Sequence, residues 1–102
     1  MPTEAKFKKA VEIIGGLPQD GPLKPSQDDQ LFFYKYYKQA TVGDVNTARP
    51  GMLDFTGKAK WDAWKSVEGA SKEESYKQYV ERLVEFLKKA GDDAHIAEIE
   101  AA

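Results

Sequence analysis

Apolar residues at the spacing of an α-helix constrain the fold of this chain more than any other feature. Near its end they recur every three or four positions, at Tyr76, Tyr79, Val80, Leu83, Val84 and Leu87. This spacing places them on one face of a helix, and that face must be covered by other apolar residues. No segment shows the alternating pattern of a β-strand. The sequence therefore predicts an all-α helical bundle.

Glycines, prolines and capping residues divide the chain into four predicted helices. They extend from about Phe7 to Ile14, where Gly15 and Gly16 terminate the helix, from Ser26 to about Thr41, from Asp54 or Thr56 to near Gly69, and from Ser71 to Gly91. Ser26 and Ser71 are each followed three positions later by an acidic residue, which is the spacing of a capping box. Residues 18–25 contain three prolines and a glycine and are expected to form a loop. Residues 94–102 could add a frayed extra turn.

Length and composition indicate a small, single-domain protein. Its 102 residues are enough for one hydrophobic core, and the absence of cysteine excludes disulfides and thiol catalysis. The first residues lack a signal-peptide pattern, because Thr3, Glu4 and Lys6 interrupt any apolar segment. The longest apolar run, residues 31–34, is far too short to span a bilayer. We therefore expect a soluble, cytoplasmic protein.

Charge is distributed unevenly along the chain. Residues 34–65 carry six basic and three acidic side chains, whereas residues 66–102 carry five basic and nine acidic ones. The isoelectric point is about 5.4, and general nucleic-acid binding favours a broadly basic domain. The basic and aromatic middle segment therefore fits one small polyanion better than a nucleic acid.

Aromatic and lysine side chains share helix faces in this middle segment. Tyr34, Tyr37 and Lys38 occupy positions i, i+3 and i+4, and Lys60 and Trp64 repeat the i, i+4 spacing. Flat rings beside fixed positive charges suit a ligand with an aromatic base and phosphates. An aromatic stripe is more often core packing, but a lysine on that stripe either extends to water or meets an anion. On the residues alone, both interpretations stay open.

Much of the same segment matches a longer pattern. It contains Y-K-Y-Y-K-Q-A-T-V-G-D, then N-T-A-R-P-G-M-L-D, then G-K-A-K-W-D-A-W. This pattern resembles the acyl-CoA-binding protein family, and the similarity extends from about Phe7 to Gly91. The resemblance implies a four-helix up-down-down-up bundle over residues 3–91, with an acidic tail over residues 92–102. It also implies a non-catalytic carrier of medium- and long-chain fatty acyl-CoA esters, without a cofactor or metal.

The resemblance assigns ligand contacts residue by residue. The CoA head group is expected at Tyr34, Tyr37, Lys38, Lys60 and Tyr79, and the acyl chain at Phe7, Ala10, Val11 and Leu31. Weaker candidates are Lys35, Tyr36 and Thr56. Lys38 and Lys60 come from different predicted helices and are expected to hold the 3′-phosphate together. The chain departs from many members at Gly15 and from some at Thr56, where those proteins carry lysine. The 18–25 loop is a few residues longer than in the shortest members, and the acidic tail exceeds the common length.

Other function classes fit the residues less well. No activated nucleophile stands beside a predicted general base, and the only histidine, His95, lies in the tail without a partner motif. The sequence has no recognisable cluster of metal ligands. The alternative to a carrier is a helical protein–protein interaction module, with CoA binding secondary or lost. We expect a monomer that binds fatty acyl-CoA and no nucleic acid, with transient contact to membranes or acyl-CoA-using enzymes.

Overall fold

The computed structural model describes residues 2–16 and 25–102, and this part of the chain is helical without strands. The helices are α1 (Pro2–Gly16), α2 (Gln27–Thr41), α3 (Phe55–Ser66), α4 (Lys72–Ala90) and α5 (Asp93–Ala101). The prediction of an all-α bundle is confirmed. Of the predicted loop over residues 18–25, all but Pro25 lies outside the described residues. None of the described helices is both long enough and apolar enough to cross a bilayer.

The central helices of the bundle are α2 and α4. They pack against each other, α1 packs on α4, and α3 packs on α2. Aromatic rings fill the space between α1, α2 and α4, because the Tyr79 centroid lies 5.0 Å from both Phe7 and Phe33. Leu83 and Leu87 are fully buried beneath these rings, and burial of such a side chain contributes ~1.5–3 kcal/mol. The apolar face predicted for α4 is therefore the centre of the core.

A fifth helix corrects the prediction of four. Residues 93–101 form α5, which packs against α1 and α4 and buries Ile96 and Ile99. The ammonium of Lys6 donates hydrogen bonds to the main-chain oxygens of Ile99 at 3.2 Å and Glu100 at 2.7 Å. A nine-residue helix is too short to be stable alone in water. Its order therefore comes from packing against residues far away in the chain, which a local pattern does not reveal.

Side-chain caps begin the helices that carry the predicted site. Ser26 and Asp29 form the reciprocal capping box expected at the start of α2. At the start of α3 the cap is Asp54 rather than Thr56, because Asp54 Oδ1 accepts a 2.8 Å hydrogen bond from the Gly57 amide. A Cβ atom at residue 57 would overlap the Asp54 carboxylate. Glycine at this position therefore permits the cap and fixes where α3 begins.

Candidate functional site

A groove of about 700 Å³ lies between α2 and α3. We call it the α2–α3 groove, and its lining residues are Pro25, Ser26, Gln27, Gln30, Leu31, Tyr34, Phe55, Thr56, Ala59 and Lys60. Leu31, Phe55 and Ala59 contribute apolar surface, and Lys60 contributes a positive charge beside several polar side chains. The groove therefore offers a ligand both apolar contacts and a cationic group.

A second depression of about 290 Å³ shares two residues with this groove. We call it the loop depression, and it is lined by Tyr34, Lys38, Thr47, Pro50, Gly57, Lys60, Trp61 and Trp64. Tyr34 and Lys60 belong to both sets, so the two depressions are adjacent and meet at this pair. Three predicted head-group residues, Tyr34, Lys38 and Lys60, are therefore brought together.

The two lysines of this site point their charges at aromatic faces. The ammonium of Lys38 lies 5.0 Å from the Trp64 ring centroid, and that of Lys60 lies 5.5 Å from the Tyr34 centroid. Neither ammonium forms a salt bridge with any carboxylate of residues 2–16 and 25–102. A cation–π contact at an exposed site contributes only ~0.5–1 kcal/mol. Both positive charges are therefore accessible to an anionic ligand.

The long loop between α2 and α3 is held in place by the tryptophans of α3. Trp64 is buried, and its Nε1 donates to the Gly43 oxygen at 2.8 Å. Trp61 Nε1 donates to the Thr47 oxygen at 2.9 Å. Both rings also line the loop depression. Trp61, expected from the sequence to be a packing residue, thus both anchors the loop and lines the site.

A buried amide fixes the start of the same loop. Gln39 Nε2 donates to Asp44 Oδ1 at 2.8 Å and to the Ala70 oxygen at 3.0 Å. The Gly69 amide donates to the same Asp44 oxygen at 2.8 Å. The hydrogen bond from Gln39, followed by that from Gly69, lowers the pKa of Asp44 below its usual value. This connection ties the end of α2, immediately after Lys38, to the turn that precedes α4.

The arginine of the loop is already neutralised. Arg49 Nε and Nη2 each donate to an oxygen of Asp62 at 2.9 Å. This bidentate pair raises the pKa of Arg49 and lowers that of Asp62. Arg49 therefore contributes to the loop conformation, and the accessible positive charge of the site comes from the lysines.

Tyr37 lies in a different place from Tyr34 and Lys38. With Phe7, Val11 and Tyr76 it lines a groove of about 420 Å³ formed by α1, α2 and α4, which we call the α1–α4 groove. The Tyr37 ring is stacked on Phe7 with centroids 6.3 Å apart, and the residue is 40% exposed. The four residues predicted to contact the acyl chain are not brought together, because Leu31 lines the α2–α3 groove instead.

Three predicted contact residues are almost completely buried. Ala10 is 0%, Tyr79 is 3% and Phe7 is 4% exposed. Burial, and then the neighbouring Tyr37, raise the pKa of the Tyr79 phenol above its usual value. Ala10, Tyr79 and Phe7 all belong to the same buried cluster, so these three predicted contacts form part of the core.

The weaker candidates divide between the groove and another surface. Thr56 lines the α2–α3 groove. Lys35 places its ammonium 4.9 Å from the Phe32 ring and 5.5 Å from the Tyr36 ring. Burial, followed by the charge of Glu74, raises the pKa of Tyr36. Neither Lys35 nor Tyr36 lines any of the three depressions.

The structure adds lining residues that the sequence analysis did not select. Phe55 is 73% exposed and lines the α2–α3 groove beside Ala59, four positions later on α3. This i, i+4 spacing is a signal that could have been found in the sequence. Thr47 and Pro50 line the loop depression, but a loop has no periodicity from which to predict their direction.

The described residues contain no group of three or more His, Cys, Asp or Glu side chains that could hold a metal ion. His95 Nδ1 lies 2.5 Å from Asp92 Oδ2, and the His95 amide also donates to Asp92. The histidine therefore belongs to the cap of α5, a helix that packs on α1 and α4 and not on α3.

The chain is similar to known proteins over most of its length. Residues 4–83 match the family described as Acyl CoA binding protein. An acyl-CoA-binding protein of Gossypium hirsutum is 54% identical over 91 residues, which cover 89% of this chain and 98% of that protein. The acyl-CoA-binding domain-containing protein 5A of Danio rerio is 45% identical over 96 residues, or 94% of this chain but only 19% of that protein.

A solved structure has the same fold. The crystal structure of ACBP from Moniliophthora perniciosa superimposes with a TM-score of 0.95 at 70% identity, covering 97% of this chain and 96% of that one. The family match covers most of the chain, and it includes the helices that carry Tyr34, Lys38 and Lys60. This chain therefore belongs to the acyl-CoA-binding protein family.

Proposed function

We propose that this chain binds medium- and long-chain fatty acyl-CoA esters and carries them without catalysis. The observation that supports this most strongly is the arrangement of Tyr34, Lys38 and Lys60. Two accessible ammonium groups from α2 and α3 flank a tyrosine where the loop depression meets the α2–α3 groove, and both depressions also have apolar lining residues. An amphiphile with a phosphorylated head and an apolar tail has the matching chemistry.

The head group is proposed to bind in the loop depression, with its 3′-phosphate between Lys38 and Lys60. A hydrogen bond from an ammonium to a phosphate oxygen contributes ~1.5–3 kcal/mol. Tyr34 adds a ring and a hydroxyl at the same place. Tyr37 offers a second partly exposed ring in the α1–α4 groove, where Phe7 and Val11 provide the remaining proposed apolar contacts. Tyr79 and Ala10 are buried, and we propose that they support these contact residues from within the core.

The acyl chain is proposed to follow the α2–α3 groove over Leu31. Sheltering each methylene from water contributes up to ~0.8 kcal/mol, and less where the chain stays in contact with solvent. The tail therefore supplies much of the affinity, while the head group distinguishes CoA esters from free fatty acids. Thr56 lies in this groove and offers a hydroxyl where some family members carry lysine.

The remaining parts of the proposal concern the protein as a whole. We infer a monomeric, cytoplasmic, non-enzymatic carrier whose binding domain spans residues 3–91 and which meets membranes or acyl-CoA-using enzymes transiently. Among the described residues around Tyr34, Lys38 and Lys60 no nucleophile is paired with a base, which supports a binding role rather than catalysis. The alternative, a protein-interaction module in which CoA binding is secondary or lost, is tested by the same experiment.

Titration calorimetry with palmitoyl-CoA, free CoA and palmitate tests the proposed function. We expect the ester to bind much more tightly than either fragment, because it occupies both the loop depression and the α2–α3 groove. Palmitate binding as tightly as its ester would refute the head-group site. Equal binding of free CoA and the ester would refute the acyl groove, and absence of all binding would favour the interaction module.

A further inference from the structure

Three large apolar side chains project into solvent where the long loop meets α3. Met52 is 83%, Leu53 is 91% and Phe55 is 73% exposed, and we call these three residues the 52–55 patch. In the described part of the chain the other large apolar residues classed as exposed, Tyr37 and Val42, reach only 40% and 47%. A contiguous exposed apolar patch is a candidate surface for contact with a protein or a membrane.

The patch is held in a defined conformation. The Asp54 carboxylate, between Leu53 and Phe55, turns back to accept from the Gly57 amide at 2.8 Å. The Asp54 amide donates to the Gly51 oxygen at 3.1 Å, and Lys58 Nζ donates to the Met52 oxygen at 3.1 Å. The apolar side chains are therefore presented outward by a hydrogen-bonded turn.

Positive charge adjoins the patch. The Lys58 ammonium lies 5.0 Å from the Phe55 ring centroid, and Lys60 lies in the same groove as Phe55. The nearby carboxylates are engaged, since Asp54 caps α3 and Asp62 is paired with Arg49. In contrast, residues 92–102 carry four acidic side chains and no lysine or arginine. Because α5 packs on α1 and α4 rather than on α3, these acidic side chains and the patch belong to different parts of the surface. An anionic surface is therefore attracted to the patch more than to α5.

We propose that the 52–55 patch docks on an anionic lipid bilayer. Met52, Leu53 and Phe55 enter the boundary between head groups and acyl chains, and the Lys58 ammonium stays at the level of the lipid phosphates. At the surface of a bilayer the charged lipid phosphates lie next to the apolar acyl chains. The patch has the matching arrangement, because the Lys58 ammonium lies next to exposed apolar side chains. Side chains this exposed project from the surface, and a fluid bilayer accommodates projecting side chains without needing a preformed cavity.

The position of the patch connects docking with ligand transfer. Phe55 belongs to the patch and also lines the α2–α3 groove. An acyl chain in that groove would then reach the bilayer along Phe55 without crossing bulk water. This connection rests on the proposed carrier function, whereas docking of the patch is measurable without any ligand.

A single fluorescent label tests the docking geometry. The chain has no cysteine, so a Leu53→Cys variant can be labelled at one position with an environment-sensitive nitrobenzoxadiazole dye. With vesicles of phosphatidylcholine and phosphatidylserine, we expect its emission to shift to shorter wavelength and to increase. The control is Ala97→Cys on α5, which is exposed and should show no change. An unchanged Leu53 label, or equal changes at both positions, would overturn the proposal.

Substitutions then test the energetic contribution of the patch. We expect Met52→Ser combined with Leu53→Ser to lower the vesicle partition coefficient at least ~10-fold, because two inserted side chains are lost. Val42→Ser removes an exposed apolar side chain outside the patch and should change it little. Lys58→Gln should reduce binding roughly 5-fold on anionic vesicles and much less on neutral ones, whereas Lys88→Gln on α4 is the matched charge control.

Acyl-CoA affinity of the same variants separates the two proposals. Met52 and Leu53 line none of the three depressions, so the double variant should bind palmitoyl-CoA as the wild type does. Wild-type vesicle binding in the double variant would refute lipid docking and favour a protein partner for the patch. If the wild-type protein does not bind palmitoyl-CoA, the carrier function is refuted, whereas the result of the vesicle experiment still stands.

Discussion

Replacing Lys38 or Lys60 by alanine tests the proposed phosphate site directly. Each ammonium has an aromatic ring at 5.0 or 5.5 Å and no carboxylate partner among the described residues, so a bound phosphate competes only with a weak contact. A hydrogen bond to a charged group contributes ~1.5–3 kcal/mol. Each substitution should therefore raise the Kd for palmitoyl-CoA roughly 10- to 150-fold. Stability should change by at most ~1 kcal/mol, since each substitution removes only one exposed cation–π contact and neither charge is in the core.

The assay is calorimetric titration with palmitoyl-CoA and with its 3′-dephospho analogue. The analogue should already bind wild type weakly, and each substitution should then cost little more, because the group that the lysines hold is absent. The mutant–ligand cycle gives the coupling free energy between each lysine and the phosphate. Lys65→Ala is the matched control on α3, since the Lys65 ammonium is already paired with Glu68 at 2.9 Å.

Equal losses with both ligands would show that Lys38 and Lys60 contact another part of the ester. A Lys65→Ala loss as large as the Lys60→Ala loss would indicate a general effect of charge on α3 instead of a local contact. Wild-type affinity in both alanine variants would refute the reasoning that accessible ammonium groups beside Tyr34 form the phosphate site.

Three further outcomes follow from the packing and the hydrogen bonds. Ile99→Ala should lower the free energy of unfolding by ~2–4 kcal/mol in urea denaturation, because Ile99 is 1% exposed. The control is Ala97→Ser at an exposed site of α5, and a smaller decrease in unfolding free energy for Ile99→Ala than for this control would contradict the packing of α5. Leu31→Ala should weaken palmitoyl-CoA by ~1 kcal/mol and leave free CoA unchanged, and equal losses would place Leu31 outside the acyl site. The lowered pKa of Asp44 contributes stability that is present above its unfolded pKa of ~3.9 and is lost as the pH falls through the lower folded value. Asp44→Asn should therefore unfold with a weaker dependence on acid pH, and an unchanged dependence would show that the Gln39 hydrogen bond does not depend on the charge.

The longer helices could be predicted from sequence, whereas α5 could not. The apolar residues of α4 repeat over several turns, so their period identifies both the helix and its buried face. In α5 only Ile96 and Ile99 are buried, and two positions do not establish a period. What stabilises α5 is contact with α1, including the Lys6 hydrogen bonds, and such contacts depend on the tertiary arrangement.

The placement of the candidate site residues could be predicted only in part from the sequence. Tyr34 and Lys38 are four residues apart and line the same depression, as the helical period implies. Tyr37 is also a near neighbour in sequence, yet it lines the α1–α4 groove. Spacing places side chains around the circumference of α2, but it does not say which neighbouring helix lies next to each position. Because α2 packs between α3 and α4, side chains at neighbouring positions around its axis face different helices and line different depressions.

The indole hydrogen bonds of α3 also give the protein an internal optical signal. Its two tryptophans, Trp61 and Trp64, are the only ones in the chain, and both donate to oxygens at the start of the long loop, those of Thr47 and Gly43. The Lys38 ammonium stands 5.0 Å from the Trp64 ring, where its electric field acts on the indole. A phosphate that draws this ammonium away changes that field, so intrinsic fluorescence reports arrival of the head group without a label. Because both fluorophores sit at the loop, the same emission also records whether the loop has kept its conformation.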